Sequence, residues 1–268
     1  MSSQNVLFFG ASRGCGFYAM LRVLRAGGRA TLLLREPDTV TGNLEFQALS
    51  PEQRSRATVV KGDAYVREDV VRVVDAAGSA MDTVVFSIGA MLPSGIPKTS
   101  WSRGFVLDPP QPCARAITML LSVLQDLNRL GLRLVIVSTM GMGAKHKELP
   151  FLLRGVLYGW LLNDAHSDKE AVEYLALLSS KHRTPAQQPE ARTLPDSSAS
   201  LRSNWLDEVI ILRPALFTDG KETGKVRAAP VVRRAYTISR RDVGMFIADE
   251  CLKGNNKWVG EDGVVLAY

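Results

Sequence analysis

VLFFGASRGCG, residues 6–16, is the stretch that decides the fold of this chain. An apolar run ends at Gly10, further glycines stand at positions 14 and 16, and an amphipathic stretch begins at Phe17. This order predicts a strand, a glycine-rich turn and a helix, which is the phosphate-cradling entry of a dinucleotide-binding βαβ unit. Gly10 allows a tight turn, Gly14 lets the backbone approach a pyrophosphate, and Gly16 lets the helix pack close to its strand. The N–H groups at the helix start then face the anion.

Two arginines indicate which dinucleotide is bound. A second apolar run, residues 30–34, ends in Arg35, about where an NAD-binding protein carries an acidic residue for the ribose hydroxyls. An arginine there favours a 2′-phosphate instead, because its planar cationic fork matches phosphate oxygens. Arg13, inside the glycine turn, is a second candidate phosphate partner, although either arginine alone also fits a solvated surface charge. Together they predict NADP(H) rather than NAD as the cofactor.

Length and composition predict one large α/β domain. The chain has 268 residues, of which 46% are hydrophobic and 22% charged, as in ordinary globular proteins. It shows no signal-peptide pattern and no apolar stretch of membrane-spanning length, so a cytoplasmic protein is expected. The net charge of +6 is dispersed without interleaved aromatic residues, which argues against a nucleic-acid partner. The oligomeric state is left open.

The cysteines and histidines predict neither disulfides nor a metal site. Cys15, Cys113 and Cys251 are far apart, which fits a reducing compartment, and the histidines at positions 146, 166 and 182 have no zinc spacing. Cys15 has two interpretations: a thiol whose pKa is lowered by a helix N-terminus, or a small residue that fills space under the cofactor.

Apolar runs alternate with helical patterns along the chain. Strands are predicted at residues 5–9, 30–34, 58–61, 83–87, 133–138, 208–213 and 264–267, and helices at 15–27, 68–77, 112–130, 168–180 and 241–253. The alternation predicts a Rossmann-type, doubly wound parallel sheet, buried on both faces, in a single domain over residues 1–268 with a small C-terminal substrate lobe. Residues 37–57 and 181–204 are expected to be loop insertions, the second of them a mobile excursion, and residues 149–165 and 214–240 to be walls of the substrate site.

Ligands of such a sheet bind beyond the carboxyl ends of the strands. Asp63 follows the third strand and is expected either to accept a hydrogen bond from the adenine amino group or to stabilise a turn. Ser87 and Gly89 follow the fourth strand, where small residues let the backbone lie against a ribose. Ser138 and Thr139 follow the fifth strand and place two hydroxyls near the nicotinamide.

In this order, the motifs resemble the short-chain dehydrogenase/reductase superfamily, and most of all its atypical NAD(P)-binding branch of NmrA-like and biliverdin-reductase-B-like proteins. The motifs are GASRGCG at 10–16, Leu33-Leu34-Arg35, Gly62-Asp63, Val137-Ser138-Thr139, Asp168-Lys169 with Glu173, Leu212-Arg213-Pro214 and the stretch 238–244. The resemblance covers nearly the whole chain. It implies that the cofactor is contacted by Gly10, Ser12, Arg13, Gly14, Gly16, Arg35, Asp63, Ala64, Ser87, Gly89, Ser138, Thr139 and Lys169. It also implies that a loop formed by Pro214, Ala215, Leu216 and Phe217 closes over the nicotinamide amide.

The chain departs from the superfamily at the catalytic tyrosine. Standard members use Tyr-x-x-x-Lys, but Leu162 and Leu178 follow Tyr158 and Tyr174 at that spacing. The best remaining polar candidate is Lys169, which would hold the nicotinamide ribose or orient a carbonyl.

Each candidate acid has a plainer alternative. Lys169 would otherwise form a surface pair with Glu173. His166 and Tyr158 are alternative acids, with Ser138 beside them, but residues 167–170 also read as a capping box that leaves His166 outside the helix. Tyr158 would otherwise be a wall of the pocket.

Residues 149–162 are unusually apolar and would form a wall for an apolar substrate, a buried helix, a dimer face or an interfacial membrane contact. The leading hypothesis is an NADPH-dependent oxidoreductase that transfers hydride to a small, largely apolar carbonyl, imine, activated alkene or flavin-like ring. The alternatives are a non-catalytic NADP-binding regulator of NmrA type and a redox-neutral isomerase or lyase, and fold alone does not separate them.

Overall fold

A mostly parallel sheet organises the molecule in the computed structural model, which describes residues 4–89, 98–100, 104–106, 109–141 and 163–268. The strands are β1 (Asn5–Phe9), β2 (Arg29–Leu34), β3 (Ala57–Lys61), β4 (Thr83–Phe86), β5 (Lys98–Ser100), β6 (Gly104–Val106), β7 (Arg133–Val137), β8 (Glu208–Pro214), β9 (Leu216–Thr218), β10 (Arg227–Ala229), β11 (Thr237–Ser239) and β12 (Val264–Ala267). The helices are α1 (Gly14–Arg25), α2 (Asp38–Thr41), α3 (Leu44–Gln47), α4 (Pro51–Ser55), α5 (Arg67–Ala77), α6 (Pro112–Asp126), α7 (Asn163–Ser179) and α8 (Arg240–Glu250).

The order of the strands places a topological switch point beside β1. Within the described residues, the main sheet has eight strands in the order β10-β12-β8-β7-β4-β1-β2-β3, and all neighbours are parallel except β10 and β12. The chain runs outward from β1 to β2 and β3, and then returns to β4 on the other side of β1. In open α/β sheets, ligands bind at the crevice where the strand order reverses.

Alternate side chains of each central strand enter two different cores. Val6 and Phe8 of β1 pack with α1 and α8 on one face, whereas Leu7 and Phe9 pack with α5, α6 and α7 on the other. All four side chains are at most 1% exposed. The same period of two continues through β4, β7 and β8. The predicted burial of the sheet on both faces is therefore confirmed.

The bounds predicted from the sequence agree best with the structure for the strands. Each of the seven predicted strands is found within one residue at either end, and the short strands β5, β6, β9, β10 and β11 were not predicted. The helices deviate more, because α6 ends at Asp126 and α7 begins at Asn163, five residues before the predicted start.

The two expected insertions are tied to the fold. Residues 37–57 contain α2, α3 and α4, and they bury Val40, Phe46 and Leu49 in the core beside α1. The stretch 181–204, which was expected to be a mobile excursion, holds two short 3₁₀ turns. Its backbone at Arg202 exchanges two hydrogen bonds with the buried Gln125 side chain of α6, at 2.9 and 3.1 Å. Leu194 and Leu201 of the same stretch also pack against the hydrophobic core that contains α6.

No helix in the described part of the chain is long and apolar enough to cross a membrane.

Candidate active site

The glycine turn after β1 is fixed by close contact with the chain that leaves β4. Gly10 has φ +89°, and a Cβ atom there would lie 2.5 Å from the Ile88 nitrogen. A Cβ atom at Gly16 would lie 2.2 Å from Ser87 Oγ. The Ser87 hydroxyl lies 3.1 Å from both the Phe9 and Gly10 carbonyl oxygens, and so bridges the two strand ends. Glycine at 10 and 16 therefore brings the start of α1 against the ends of β1 and β4.

The N-terminus of α1 presents uncapped N–H groups to this crevice. Arg13 is the N-cap residue, and its side chain makes no capping hydrogen bond. The first turn carries no acidic side chain. The first N–H groups of a helix have no intrahelical partner, and together they carry a partial positive charge. Exposed Arg13 and half-buried Ser12 border the turn, and Gly14 has φ +67°.

Arg35 and Asp63 follow the neighbouring parallel strands β2 and β3, where Gly62 donates a 2.9 Å hydrogen bond to the Leu34 carbonyl. Asp63 is half-buried, as is Ala64, and its Oδ1 accepts a 3.0 Å hydrogen bond from the Tyr65 N–H. One carboxylate oxygen thus stabilises the turn, as one of the two sequence interpretations predicted. Arg35 is exposed and, like Arg13, makes no hydrogen bond or ion pair with any residue the structure describes.

Lys169 of α7 joins the ends of β4 and β7. Its Nζ donates hydrogen bonds to the Ile88 carbonyl at 2.7 Å and to the Val137 carbonyl at 2.9 Å. The alternative of a surface pair with Glu173 is wrong, because the Glu173 carboxylate binds the Arg213 guanidinium at 2.5 Å, with both side chains largely buried. The lysine ammonium therefore lies at the carboxyl edge of the sheet, next to the peptide that leads into Ser138.

The start of α7 differs from its sequence interpretation. Asp168 is 2% exposed, and its carboxylate accepts hydrogen bonds from the Cys113 and Ala114 N–H groups at 2.9 and 2.8 Å. It therefore caps α6. Residues 167–170 lie inside α7, which begins at Asn163, so the alternative of a capping box at these residues is wrong, and half-buried His166 lies within the helix. Ala165 occupies the position four residues before Lys169, where standard superfamily members have tyrosine.

Ser138 supplies a hydroxyl beside Lys169. The residue is 2% exposed, and its N–H donates a 2.8 Å hydrogen bond to the Leu212 carbonyl. Its Oγ is buried without a hydrogen-bond partner among the described residues. A buried hydroxyl without a partner is uncommon and needs an explanation, and a ligand is one. Neighbouring Thr139 is half-buried, whereas Gly89 is exposed, and a Cβ atom there would meet nothing within 4 Å.

The segment from Pro214 to Phe217, which was expected to be a loop, joins the end of β8 to the start of β9 through Ala215. Pro214 ends β8, the Ala215 N–H binds the Leu266 carbonyl at 2.9 Å, and Leu216 begins β9, which pairs with β11. Leu216 is 40% exposed and Phe217 is half-buried. Backbone pairing with β11 and β12 fixes this segment at the carboxyl edge of the sheet.

The thiols of the described residues are structural. Burial raises the pKa of Cys15 to about 12, although the Arg240 guanidinium lowers it, and burial likewise raises the pKa of Cys113 to about 12. Cys15 therefore matches the space-filling interpretation and not that of an activated thiol. In the described ranges, no group of three or more histidine, cysteine or acidic residues could hold a metal ion. Tyr158 and the apolar stretch 149–162 lie outside the described residues.

Comparison with known proteins identifies the fold. No protein-family model matches the chain. Oxidase pynE of Aspergillus niger is 28% identical over 97% of this chain and 98% of its own length. The anaerobilin reductase ChuY of Escherichia coli has 18% identity and a TM-score of 0.60, with 98% of this chain and 96% of its own covered. A wide-type short-chain dehydrogenase/reductase of Veillonella parvula, solved with NADP, has 12% identity and a TM-score of 0.59, with 99% and 94% covered.

The chain shares the fold of these two solved structures. The resemblance found in the sequence is thus confirmed at the level of the fold, which extends over almost the whole chain. In this fold, the glycine turn, Lys169 and Ser138 occupy the carboxyl edge of neighbouring strands, where open α/β sheets bind ligands.

Sequence reasoning missed three side chains at this edge. Asp168 was assigned to a motif but not to the cap of α6. Asp242 is fully buried at the start of α8, and Arg240 lies against the glycine turn. The pattern Ser239-x-x-Asp242 is a capping signal that marks the helix start, since Ser239 Oγ accepts from the Asp242 N–H. This pattern does not predict the direction of the Arg240 side chain.

Proposed function

We propose that this protein is an NADPH-dependent oxidoreductase that transfers hydride to a small, largely apolar acceptor without a Tyr-x-x-x-Lys pair. The acceptor class is a carbonyl, an imine, an activated alkene or a flavin-like ring. The observation that carries the proposal is the convergence, at the ends of β1, β4 and β7, of an uncapped glycine-rich helix start with Lys169 and the unpaired hydroxyl of Ser138. The names of the relatives, an oxidase and reductases, support redox chemistry.

The residues at the edge of the sheet fit a nicotinamide dinucleotide. The uncapped α1 start and Gly14 would receive the diphosphate, and Asp63 and Ala64 would lie by the adenine. Exposed Arg35 would bind the 2′-phosphate in the position where NAD-specific proteins carry an acidic residue. The NADP complex of the Veillonella parvula neighbour supports this choice of nucleotide.

The bound nicotinamide would supply hydride from its C4 atom. The hydrogen bonds to the two carbonyls use two of the three N–H donors of the Lys169 ammonium and fix its direction. The third N–H would orient the ribose or the acceptor. Ser138 would donate its hydroxyl proton in a hydrogen bond to the acceptor atom that gains negative charge. His166 and Tyr158 remain the candidate sources of the transferred proton.

Arg35→Asp is expected to move the ratio of the NADP and NAD dissociation constants toward NAD by about 10- to 100-fold. A charge-assisted hydrogen bond contributes about 1.5–3 kcal/mol, and the new carboxylate would repel the 2′-phosphate. The measurement is calorimetric titration with both nucleotides. Arg29→Asp is the matched control, since Arg29 is an exposed arginine at the opposite end of the same strand and should leave the ratio unchanged. An unaltered ratio in Arg35→Asp would remove the argument for NADP.

Turnover tests the proposal as a whole. Purified protein should bind NADPH in calorimetry and oxidise it, seen as a loss of its absorbance, only when an apolar acceptor from the proposed classes is present. Tight NADP binding without turnover on any acceptor, together with a captured protein partner, would indicate the NmrA-type regulator instead. Product formation that does not depend on the redox state of the nucleotide would indicate an isomerase or lyase. No heat with any pyridine nucleotide would refute the proposal.

A further inference from the structure

Arg240 lies against the glycine turn, although the two are far apart in the sequence. A Cβ atom at Gly14 would lie 3.4 Å from Arg240 Cδ and 3.9 Å from its Nε. The guanidinium is also close enough to the first turn of α1 to act on Cys15. It lowers the pKa of the Cys15 thiol, against the larger effect of burial, which raises it. The arginine is therefore a neighbour of the uncapped N–H groups described above.

The guanidinium is held in place from two sides. Its central carbon lies 5.0 Å from the centroid of the Phe217 ring, and Nη1 lies 2.8 Å from Asp219 Oδ1. The side chain of Arg240 is 29% exposed, whereas that of Asp219 is 84% exposed. The ring limits where the guanidinium can lie, whereas the carboxylate partner is exposed to solvent and can be replaced by another anion.

Asp242 fixes the surroundings of this pair. Its carboxylate accepts hydrogen bonds from the Thr223 and Gly224 N–H groups at 3.0 and 2.8 Å and from Ser239 Oγ at 2.8 Å. Burial opposes ionisation of this group, but these bonds and one from the Tyr268 hydroxyl lower its pKa below the usual value. The chain after Asp219 and the start of α8 are thereby joined at one buried anion, which limits how far Arg240 and Asp219 can separate.

We propose that Arg240 binds the diphosphate of the nucleotide and that Asp219 is an internal anion that pairs with the guanidinium until the diphosphate replaces it. The inference rests on the proposed function, because it assigns a further residue to the same nucleotide site. A diphosphate at the α1 start would lie next to a planar cationic fork with free donor capacity, which is the geometry that favours arginine at phosphates. Arg240 approaches from the β9 side of the turn, whereas Arg35 follows β2, so the two arginines serve different phosphates.

The test is calorimetric titration of wild type and variants with NADPH, NADH, ADP-ribose and adenosine 2′-monophosphate. Arg240→Gln should weaken binding of the three diphosphate compounds by about 10- to 100-fold each, and leave the NADPH/NADH ratio and the binding of adenosine 2′-monophosphate unchanged. Arg241→Gln is the matched control, because its guanidinium binds Glu45 and stacks on Tyr18 at 4.3 Å. Thermal unfolding of each variant reports whether the fold is kept.

Asp219→Asn separates a ligand contact from a structural ion pair. Loss of the competing carboxylate should leave nucleotide binding unchanged or tighten it several-fold. The inference is overturned if Asp219→Asn weakens binding as much as Arg240→Gln does, or if Arg240→Gln keeps its dissociation constants within twofold of wild type. If wild type itself binds none of the diphosphate compounds, the proposed function fails first, and the two failures are thereby distinguished.

Discussion

Arg133→Met is expected to lower the free energy of unfolding by about 3–5 kcal/mol, the largest stability effect we predict for this chain. The Arg133 side chain is 0% exposed at the start of β7. Its guanidinium donates hydrogen bonds to Glu208 at 2.6 Å, to the carbonyls of Cys251, Leu252 and Asn255, and to Asn256 Oδ1 at 2.6 Å. Methionine fills similar space but leaves these acceptors without a partner, and an unsatisfied buried acceptor costs about 1–3 kcal/mol.

Urea unfolding, with the free energy extrapolated to water, measures the effect. Arg67→Met is the matched control, because Arg67 forms an exposed 2.6 Å pair with Asp126 and such pairs contribute about 0–1 kcal/mol. Similar losses for the two variants would mean that the buried cluster contributes no more than a surface ion pair. Arg133→Lys should recover part of the loss, since an ammonium reaches fewer of the acceptors.

Lys169→Met is expected to lower kcat/KM for NADPH-dependent reduction by about 100-fold, which corresponds to about 2.7 kcal/mol. The change removes the one cation that hydrogen-bonds both the Ile88 and the Val137 carbonyls beside Ser138, among the residues that the structure describes. Because the two carbonyls lose a donor, a modest loss of stability should accompany the kinetic effect. Steady-state kinetics, nucleotide titration and thermal unfolding of the same preparation separate these contributions.

Two further variants decide between an active-site role and a structural role for Lys169. Lys181→Met removes a lysine that is paired with Asp207 at 2.6 Å beyond the end of α7, and it should leave kcat unchanged. Lys169→Arg keeps the charge and the donors but moves them, so it should restore stability more than activity. An active-site role would be contradicted by a Lys169→Met variant that loses stability yet keeps the kcat and nucleotide affinity of wild type.

The local pattern of the sequence was enough to predict the sheet. Central strands such as β1, β4 and β7 are continuous apolar runs. Such runs are typical of the strands of a parallel sheet, which are buried on both faces. The spacing of Gly10, Gly14 and Gly16 predicted the turn because each position constrains its own backbone. The short strands β9 and β11 were missed, since their pairing depends on contacts between distant segments.

Polar side chains of the site were predicted by position but not by partner. Lys169 was expected near the nicotinamide, and the structure places it at the strand ends. No sequence pattern indicates its hydrogen bonds to the two backbone carbonyls. Asp168 was recognised only as part of a motif, and it caps α6, because packing of the two helices brings the N–H groups of Cys113 and Ala114 to it. A local motif identifies the functional group of a side chain, whereas tertiary packing determines which partner that group binds.

The sequence by itself determined the first strand, the glycine turn that follows it, and the class of ligand that such a turn suits. These features depend on residues within about ten positions of one another in the chain. Only the tertiary structure decided that Glu173 binds Arg213, that Arg240 lies over the turn at Gly14, and that a fully buried Arg133 joins β7 to the chain after α8. The physical reason is that a long charged side chain has many rotamers of similar energy. Its direction is therefore set by whichever distant acceptors the folded chain brings within reach.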